Sequence, residues 1–419
     1  MAEAIAEAKR CLNCKVPQCK KGCPVENDIP DWIHELSMGN LGNAMSIINR
    51  KSNLPAVCGR VCAHERQCEG HCVLGKKGRH VNIGKLERFV ADFDSEMGVM
   101  RQPIVQKTKG RVAIIGSGPA GLTVAGELAR RGYSVDIFEM EPQPGGVLTF
   151  GIPEYRLPKD IVNSEIEKIR QLGVRFYVNV TVGPDITIDG LFDKGYDAIF
   201  MGTGNGKPKK LAINGLENKR VRQAIYFLRR VGLFQAGLIS REEVPMKEGD
   251  RIYVVGCGNT AIDAARTAVR FGASEVTIVY HRDITRMSAL MAEYEDAVSE
   301  GVKFMWNTSV KEVHDDRRVT VETDGEERIL PPGKLMMAVG SRPATRIVST
   351  TTGIEVNENG FVVTRDVPYG MTTRKGVFAG GDVSGNQATV VHAMSNARAV
   401  AEGIAQYIDA LTLLRAIES

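Results

Sequence analysis

The sequence predicts an α/β protein with an N-terminal α-helical domain, and three observations carry the prediction. Eight of the nine cysteines fall between Cys11 and Cys72, in a stretch whose apolar residues recur at helical spacing. Two glycine-rich turns, at residues 116–121 and 256–261, each lie between a β-branched strand and a helix. A second strand follows each, so the strand–turn–helix–strand unit occurs twice.

The head comes first. Ile29 to Met38, Leu41 to Asn49 and Asn82 to Met97 have the apolar spacing of helices, and no strand is expected there. Met100 to Gly110 (MRQPIVQKTKG) is polar, with one proline, and reads as a linker. Cys11-x2-Cys14-x4-Cys19-x3-Cys23-Pro24 has the order of a ferredoxin run. In two-cluster ferredoxins the cysteine before the proline serves the other cluster. The second run is Cys58-x3-Cys62-x5-Cys68-x3-Cys72. On that exchange, Cys11, Cys14 and Cys19 take a fourth thiol from the second run, most simply Cys72. Cys23 joins Cys62 and Cys68, which leaves one ligand position open and Cys58 spare. Zinc and disulfides are the alternatives for so many thiols. The ferredoxin order and the two nucleotide turns behind it favour iron–sulfur. His64 and His71, among these cysteines, read as hydrogen-bonding neighbours rather than ligands.

The body begins at the strand Arg111 to Ile115. Gly116-Ser117-Gly118-Pro119-Ala120-Gly121 is a full G-x-G-x-x-G, followed by a helix from about Ala120 to Arg131 and the strand Ser134 to Glu139. In such a unit the first glycine makes the turn, the second admits a pyrophosphate and the third packs helix on strand. The helix N-terminus then faces the phosphates. Glu139 ends the second strand, where a carboxylate binds ribose hydroxyls. Gly145 and Gly146 let backbone lie close to a flat ring. Far downstream, a strand ending in Gly381-Asp382 places a carboxylate near a cofactor's polar tail, and Ala388-Thr389-Val390 opens a helix. Val182 and Gly204 complete the candidates of this first site.

Gly256-Cys257-Gly258-Asn259-Thr260-Ala261 repeats the pattern after the strand Arg251 to Val255. Its second strand, Glu275 to Tyr280, ends without an acid, in His281-Arg282 with Arg286 just beyond. A carboxylate there would repel a 2′-phosphate, whereas guanidinium groups pair with it, so NADPH is expected over NADH. Gly340 completes this second site. Cys257 occupies the free position of the loop and reads as a small buried residue. The segment between the two units and the C-terminal stretch after about residue 340 are expected to mix short strands with Gly/Pro turns.

Over nearly its whole length the chain resembles the small (β) subunit of NADPH-dependent glutamate synthase. It also resembles the N-terminal half of dihydropyrimidine dehydrogenase and the large subunit of NADH-dependent ferredoxin:NADP oxidoreductase. The motifs that carry the resemblance are RCLNC from Arg10, GCPV from Gly22, CGRVC from Cys58, CEGHC from Cys68, NIGKLERF from Asn82, GIPEYRLP from Gly151, GCGNTAID from Gly256 and GVFAGGD from Gly376. The resemblance implies two Rossmann-like domains of the pyridine-nucleotide-disulfide-oxidoreductase type. It implies FAD in the first site, NADPH in the second and two 4Fe–4S clusters in the head. It supplies Glu87 as the non-cysteine ligand of the second cluster, sets Arg156 against FAD, and puts His281, Arg282 and Arg286 near the 2′-phosphate. Two departures stand out: His281-Arg282 replaces an Arg-Arg pair, and Ala63 replaces a proline.

The expected domains are residues 1–107 (helical, two clusters), 108–240 with 340–419 (FAD) and 241–339 (NADPH). The expected activity is hydride transfer from NADPH to FAD, then single electrons through the clusters to a partner, with the chemistry borne by cofactors and no catalytic side chain. Glutamine hydrolysis would need an N-terminal cysteine after Met removal, and residue 2 is Ala. The partner is therefore expected to be a larger catalytic subunit, such as a glutamate synthase large subunit, or an electron-acceptor protein, giving a hetero-oligomer. The alternatives are the NAD(P)H-oxidising part of a dihydropyrimidine dehydrogenase or of a ferredoxin:NADP oxidoreductase. A flavoprotein disulfide reductase would need a redox cysteine pair beside the flavin, and the body holds Cys257 alone.

A net charge of +4 and a pI near 8.5 do not call for nucleic acid. The longest apolar runs are strand-sized, short of the ~20 residues that span a bilayer. Met1 to Arg10 has no apolar signal core, so a cytoplasmic location is expected.

Overall fold

Arg111–Ile115 (RVAII) is buried from its second residue onward, as a parallel strand covered on both faces must be. In the computed structural model it is central to a seven-stranded sheet. The spatial order is Thr364–Asp366, Tyr369–Thr372, Val377–Ala379, Ala198–Met201, Arg111–Ile115, Ser134–Phe138 and Arg175–Tyr177. The last five are parallel; Val112 stands beside Val135 on one side and Ala198 on the other. The chain steps outward through Ser134–Phe138 and Arg175–Tyr177, then returns to the opposite side of the central strand. That reversal opens a crevice at the carboxyl ends of Arg111–Ile115 and Ala198–Met201, where this architecture binds ligands.

The structure describes residues 1–98, 105–209, 211, 213–217, 221–344, 346–385 and 387–418. They divide into two units: Met1–Thr149 with Arg156–Gly206 and Arg342–Ser419, and Phe150–Tyr155 with Lys207–Ser341. Of the linker expected from Met100 to Gly110, residues 100–104 lie outside the described residues.

The first unit holds both the head and the seven-stranded sheet. The head is helical, with Ala2–Ala8, Ile29–Ser37, Leu41–Asn49, Pro55–Val61 and Ile83–Met97 as its principal helices and no strand among its described residues. Trp32, Ile33, Leu36, Met45, Ile48, Leu86 and Val90 form its core, and Cys11, Cys19, Cys23, Cys68 and Cys72 pack on that core.

The second unit repeats the sheet logic with five parallel strands. Their order is Val221–Gln223, Lys334–Met337, Arg251–Val255, Glu275–Val279 and Lys303–Met305. A three-stranded antiparallel sheet, Thr308–Val313, Val319–Thr323 and Glu326–Leu330, joins it.

Helices interrupt the expected mixture of short strands and turns, and the one expected to open at Ala388–Val390 is longer than the sequence suggested. Lys159–Gln171 and Ala224–Gln235 lie in the segment between the glycine turns, and Val390–Glu418 runs for 29 residues. The last buries Ala393, Ala397, Ala401 and Ala405, one every four residues, and packs on the helix Pro119–Arg130 and the strand Tyr369–Thr372. Small residues permit that close approach: a Cβ at Gly403 would stand 2.2 Å from the Tyr369 carbonyl oxygen. A helix buried on more than one side has no single apolar stripe, which hides its length from a search for one.

Candidate functional site

Both cysteine runs converge on two neighbouring cavities in the head. The first is lined by Cys11, Cys14, Cys19 and Cys72, with Leu12, Ile33, Val73 and Leu74 among its other walls. The second is lined by Cys23, Cys58, Cys62, Cys68 and Glu87, with His64, Trp32 and Val391. Ile29 and Ile83 line both, so the two cavities share an apolar partition. All nine cysteines are free thiols.

Helix geometry explains the second set. Cys58 and Cys62 are one turn apart on and just past Pro55–Val61, and that helix packs on Ile83–Met97, which presents Glu87. Arg60 fixes the pair with a bidentate bond to Asp92, 2.8 Å on each arm. Cys58 Sγ also lies 3.8 Å from Ser52 Oγ and 3.7 Å from Met394 Sδ.

Burial holds the acids of both cavities in their neutral forms. Burial pushes the Cys19 thiol up to about 11 and the Cys23 thiol to about 12. Burial also raises Cys11 and Cys68, with neighbouring cysteines, and Glu87 for Cys68, adding to the shift. Cys62 is raised by its hydrogen bond to Cys58 and by burial. Glu87 is pushed up to about 8 by burial and by the charge of Glu165. Such acids ionise together only when iron or another cation compensates them. Among the described residues no three His, Cys, Asp or Glu side chains converge on a single-ion position. Donors spaced around a cavity would instead suit a cluster of several irons. His64 adds a further fit: its Nε2 is buried in the wall of the second cavity with no hydrogen-bond partner. A cluster sulfur there would accept that N–H.

The first glycine turn sits in the crevice of the seven-stranded sheet. Gly116 has φ +94°, and a Cβ on it would stand 2.8 Å from the Gly202 carbonyl oxygen. Gly118 is the N-cap of Pro119–Arg130, with Pro119 in the first turn, where its missing N–H costs nothing. Ala120 is buried against Gly381: a Cβ at Gly381 would lie 2.8 Å from the Ala120 Cβ. Gly121 backs onto Gly116, with its own Cβ position 2.0 Å from the Gly116 oxygen.

Ser117, which the sequence pattern leaves as a free position, organises this turn. Its N–H donates to Glu139 Oε2 at 2.9 Å and its hydroxyl to the same oxygen. That hydroxyl also accepts the Gly145 N–H at 2.9 Å. Glu139 Oε1 accepts the Glu141 N–H. Glu139 is thus held by the turn itself and keeps lone pairs for a further donor. Gly146 is brought against the turn, its Cβ position 3.0 Å from Gly118 Cα. Val182 is buried in a core that includes Ile115 and Val383. Gly204 has φ +63° and open space beyond it, and Arg156 is half-buried. Asp382 follows Gly381, and burial pushes its carboxyl up to about 6. Ala388 and Thr389 are exposed at the start of Val390–Glu418, where Thr389 Oγ1 accepts the His392 N–H at 3.3 Å.

That helix start ties the first turn to the head. Val390 belongs to the candidate flavin site, and the next residue, Val391, lines the second thiol cavity. Further along, Ser395 Oγ donates to the Pro24 carbonyl at 2.7 Å, and Arg398 bonds Glu127 Oε1 and the Arg50 carbonyl. Asn53 Nδ2 reaches the Leu122 carbonyl at 3.3 Å. Sequence reasoning missed Ser117, Val391, Ile29 and Ile83 as site residues. The four-residue alanine spacing after Val390 was the available signal for the tie.

The second turn repeats the first within its own unit. A Cβ on Gly256 would stand 2.5 Å from the Ala338 carbonyl oxygen, as Gly116 stands against Gly202. Gly258 caps Asn259–Arg270, and Asn259 Oδ1 accepts the Leu290 N–H at 3.1 Å. Thr260 is exposed in the first turn and Ala261 is buried. Cys257 is 2% exposed, and burial pushes its thiol up to about 12, as suits a packing residue. His281, Arg282 and Arg286 are all exposed beyond the strand Glu275–Val279. Neither arginine has an ion pair among the described residues. Their backbone is pinned, with Tyr280 Oη donating to the Arg286 carbonyl at 2.8 Å and Asn307 N–H to that of Arg282 at 3.1 Å. Gly340, with φ +92°, follows the returning strand. No helix of the described residues is long and apolar enough to cross a membrane.

Comparison with known proteins agrees with both halves. Residues 1–99 match the family described as dihydropyrimidine dehydrogenase domain II, 4Fe-4S cluster, and residues 110–397 match pyridine nucleotide-disulphide oxidoreductase. The glutamate synthase (NADPH) small chain of Halomonas elongata is 36% identical over 97% of this chain and 91% of its own. The NADP(+)-dependent formate dehydrogenase subunit beta of Moorella thermoacetica is 36% identical over 93% of this chain and 60% of its own. Among solved structures, Lactococcus lactis thioredoxin reductase superposes with a TM-score of 0.56 at 25% identity, over 72% of this chain and 100% of its own. The chain is an oxidoreductase that belongs to the family of the glutamate synthase small chain, with a 4Fe–4S head domain and a pyridine-nucleotide oxidoreductase body.

Proposed function

We propose that the chain is the electron-input subunit of a larger assembly, oxidising NADPH and delivering single electrons through its head. The reading is supported by the continuity of candidate sites inside one unit: the first glycine turn, the second thiol cavity walled by Val391 next to the flavin candidate Val390, and the first thiol cavity behind the shared Ile29/Ile83 partition. When bound, FAD accepts hydride from NADPH and the 4Fe–4S clusters carry electrons one at a time.

The residues supply placement. Gly116, Gly118 and Gly121 open the turn to a pyrophosphate, and Glu139 and Asp382 offer carboxylate oxygens to FAD hydroxyls and amides. Gly145 and Gly146 bring backbone to the ring side of that turn. Arg282 and Arg286, unpaired and exposed, hold the 2′-phosphate that distinguishes NADPH. Cys11, Cys14, Cys19 and Cys72 ligate one cluster. Cys23, Cys62, Cys68 and Glu87 ligate the other, with His64 donating toward it and Cys58 packed against Met394. The apolar partition and Trp32 keep water from the ligands.

The partner of this reading is a larger catalytic subunit of the glutamate synthase kind or an electron-acceptor protein. Purified protein is expected to be yellow-brown, to contain iron, acid-labile sulfide and FAD, and to bleach anaerobically with NADPH. Colourless protein carrying zinc would refute the proposal.

A further inference from the structure

We infer that the face of the head beside the first thiol cavity is a docking surface for an acidic electron-carrier protein. The inference rests on the electron-input reading and names the chemistry of the partner at its exit. The segments that bring thiols to this cavity contain no acid: residues 9–25 and 70–86 hold neither Asp nor Glu. Lys9, Lys15, Lys21, Lys76 and Lys77 on these segments are exposed and enter no ion pair among the described residues. Of the acids at the margin, Glu26 and Asp31 are exposed beyond the first segment, while two others are engaged by its cations. Glu7 bonds Arg10 at 2.6 Å, and Asp28 bonds Lys20 at 2.5 Å. Arg10 also donates to the carbonyls of Arg79 and His80, which ties the two cationic segments into one surface.

Between Lys9 and Lys21 along the chain, two exposed apolar side chains, Leu12 at 62% and Val16 at 61% exposure, flank Cys14. Leu12 is itself a wall of the cavity. An apolar centre inside a charged rim is the anatomy of a transient protein interface. A rim of one sign selects a partner of the other and speeds its encounter. The apolar residues lining the second cavity, Val25, Ile29, Trp32, Ile83 and Val391, are all buried, whereas Leu12 of the first is exposed.

The test uses the cluster-loaded, flavin-loaded protein and an acidic plant-type 2Fe–2S ferredoxin as the probe, with basic cytochrome c as its mirror. Binding is measured directly by surface plasmon resonance between about 20 and 200 mM salt. The ferredoxin is expected to bind at low salt and to weaken at least about tenfold across that range, while cytochrome c does not bind. Lys15→Glu/Lys21→Glu and, separately, Lys76→Glu/Lys77→Glu should each weaken binding by about tenfold. Iron, sulfide and NADPH bleaching should remain those of the unmodified protein. Should either variant lose iron, the other variant and the salt dependence decide. Unchanged ferredoxin binding in both variants would overturn the inference. So would equal binding of cytochrome c, or self-association that both variants abolish, which would make a second copy the occupant. Failure of the unmodified protein to bleach with NADPH refutes the function reading instead, and the binding measurements still decide the surface.

Discussion

Two glycines of one turn separate folding from cofactor binding, and alanine at each gives opposite expectations. At Gly121 a Cβ would lie 2.0 Å from the Gly116 carbonyl oxygen and 3.3 Å from Ile114 Cγ2. The obstacle is backbone, which yields only by shifting the helix off the strand, so Gly121→Ala should cost the protein without flavin roughly 1–3 kcal/mol, like other overpacked cores. In a domain of this size that is a melting temperature lower by about 3–10 °C. At Gly118, φ is −68° and ψ −177°, an ordinary conformation for alanine, and nothing lies within 4 Å of the added carbon. Gly118→Ala should therefore leave the flavin-free protein within about 0.5 kcal/mol of the original. That open space is where a pyrophosphate approaches the turn. FAD at a hundred times its dissociation constant adds about 2.7 kcal/mol of stability, and Gly118→Ala should lose most of that gain. The assay is thermal unfolding with and without FAD, beside flavin content read from absorbance. Gly118→Ala protein with full flavin content and an unaltered FAD-induced shift would refute the reasoning. So would Gly121→Ala apoprotein that melts with the original.

Asp382 sets a pH dependence. Its native pKa, about 6, lies above the unfolded value of 3.8, so the folded state binds the proton more tightly. Its burial therefore costs the flavin-free protein up to about 3 kcal/mol above pH 6, a cost that fades as pH falls toward 4. Asp382→Asn should raise stability at pH 7–8 and flatten that part of the profile, read by denaturant unfolding at each pH. At the second cavity, Cys58→Ser should keep both clusters and Glu87→Ala should lose or alter one, measured by iron content and electron paramagnetic resonance; the reverse pattern would support eight cysteine ligands. Arg282→Ala with Arg286→Ala should raise KM for NADPH by about 10–100-fold, the worth of a charged hydrogen bond, and leave KM for NADH within a few-fold.

Both nucleotide units were legible because each is local. Strand, glycine turn and helix are contiguous, and the turn's geometry demands glycine where a carbonyl comes within 3 Å. The helices Ile29–Ser37, Leu41–Asn49 and Ile83–Met97 were legible for the same reason, each having one apolar face toward Trp32 and its neighbours. The thiol spacing likewise named Cys72 as the partner of Cys11, Cys14 and Cys19, and the four do line one cavity. Spacing could not reach residues brought in by tertiary contact. Glu87 came from family resemblance, and Val391, more than 300 residues from Cys58, came from the fold alone. Ser117 was hidden differently, since its motif position constrains no residue type and its role emerges only when Glu139 and Gly145 arrive beside it.

Placing the head and the first nucleotide fold in one unit has a mechanical consequence. On the proposed function Val390, at the start of Val390–Glu418, would rim the flavin site, while Val391 is a wall of the second thiol cavity and Met394 one turn later touches Cys58. Peptide geometry holds consecutive Cα atoms about 3.8 Å apart, so these two sites cannot separate unless the helix start unwinds. Ser395 bonded to Pro24 and Arg398 bridging Glu127 and Arg50 oppose such unwinding, and Asn53 on Leu122 separately joins the head to the helix Pro119–Arg130. The shared Ile29/Ile83 partition extends the constraint to the first cavity, because those side chains belong to the two helices that also present Trp32 and Glu87. A fixed, dry spacing suits electron passage, which needs no motion of the groups that exchange electrons.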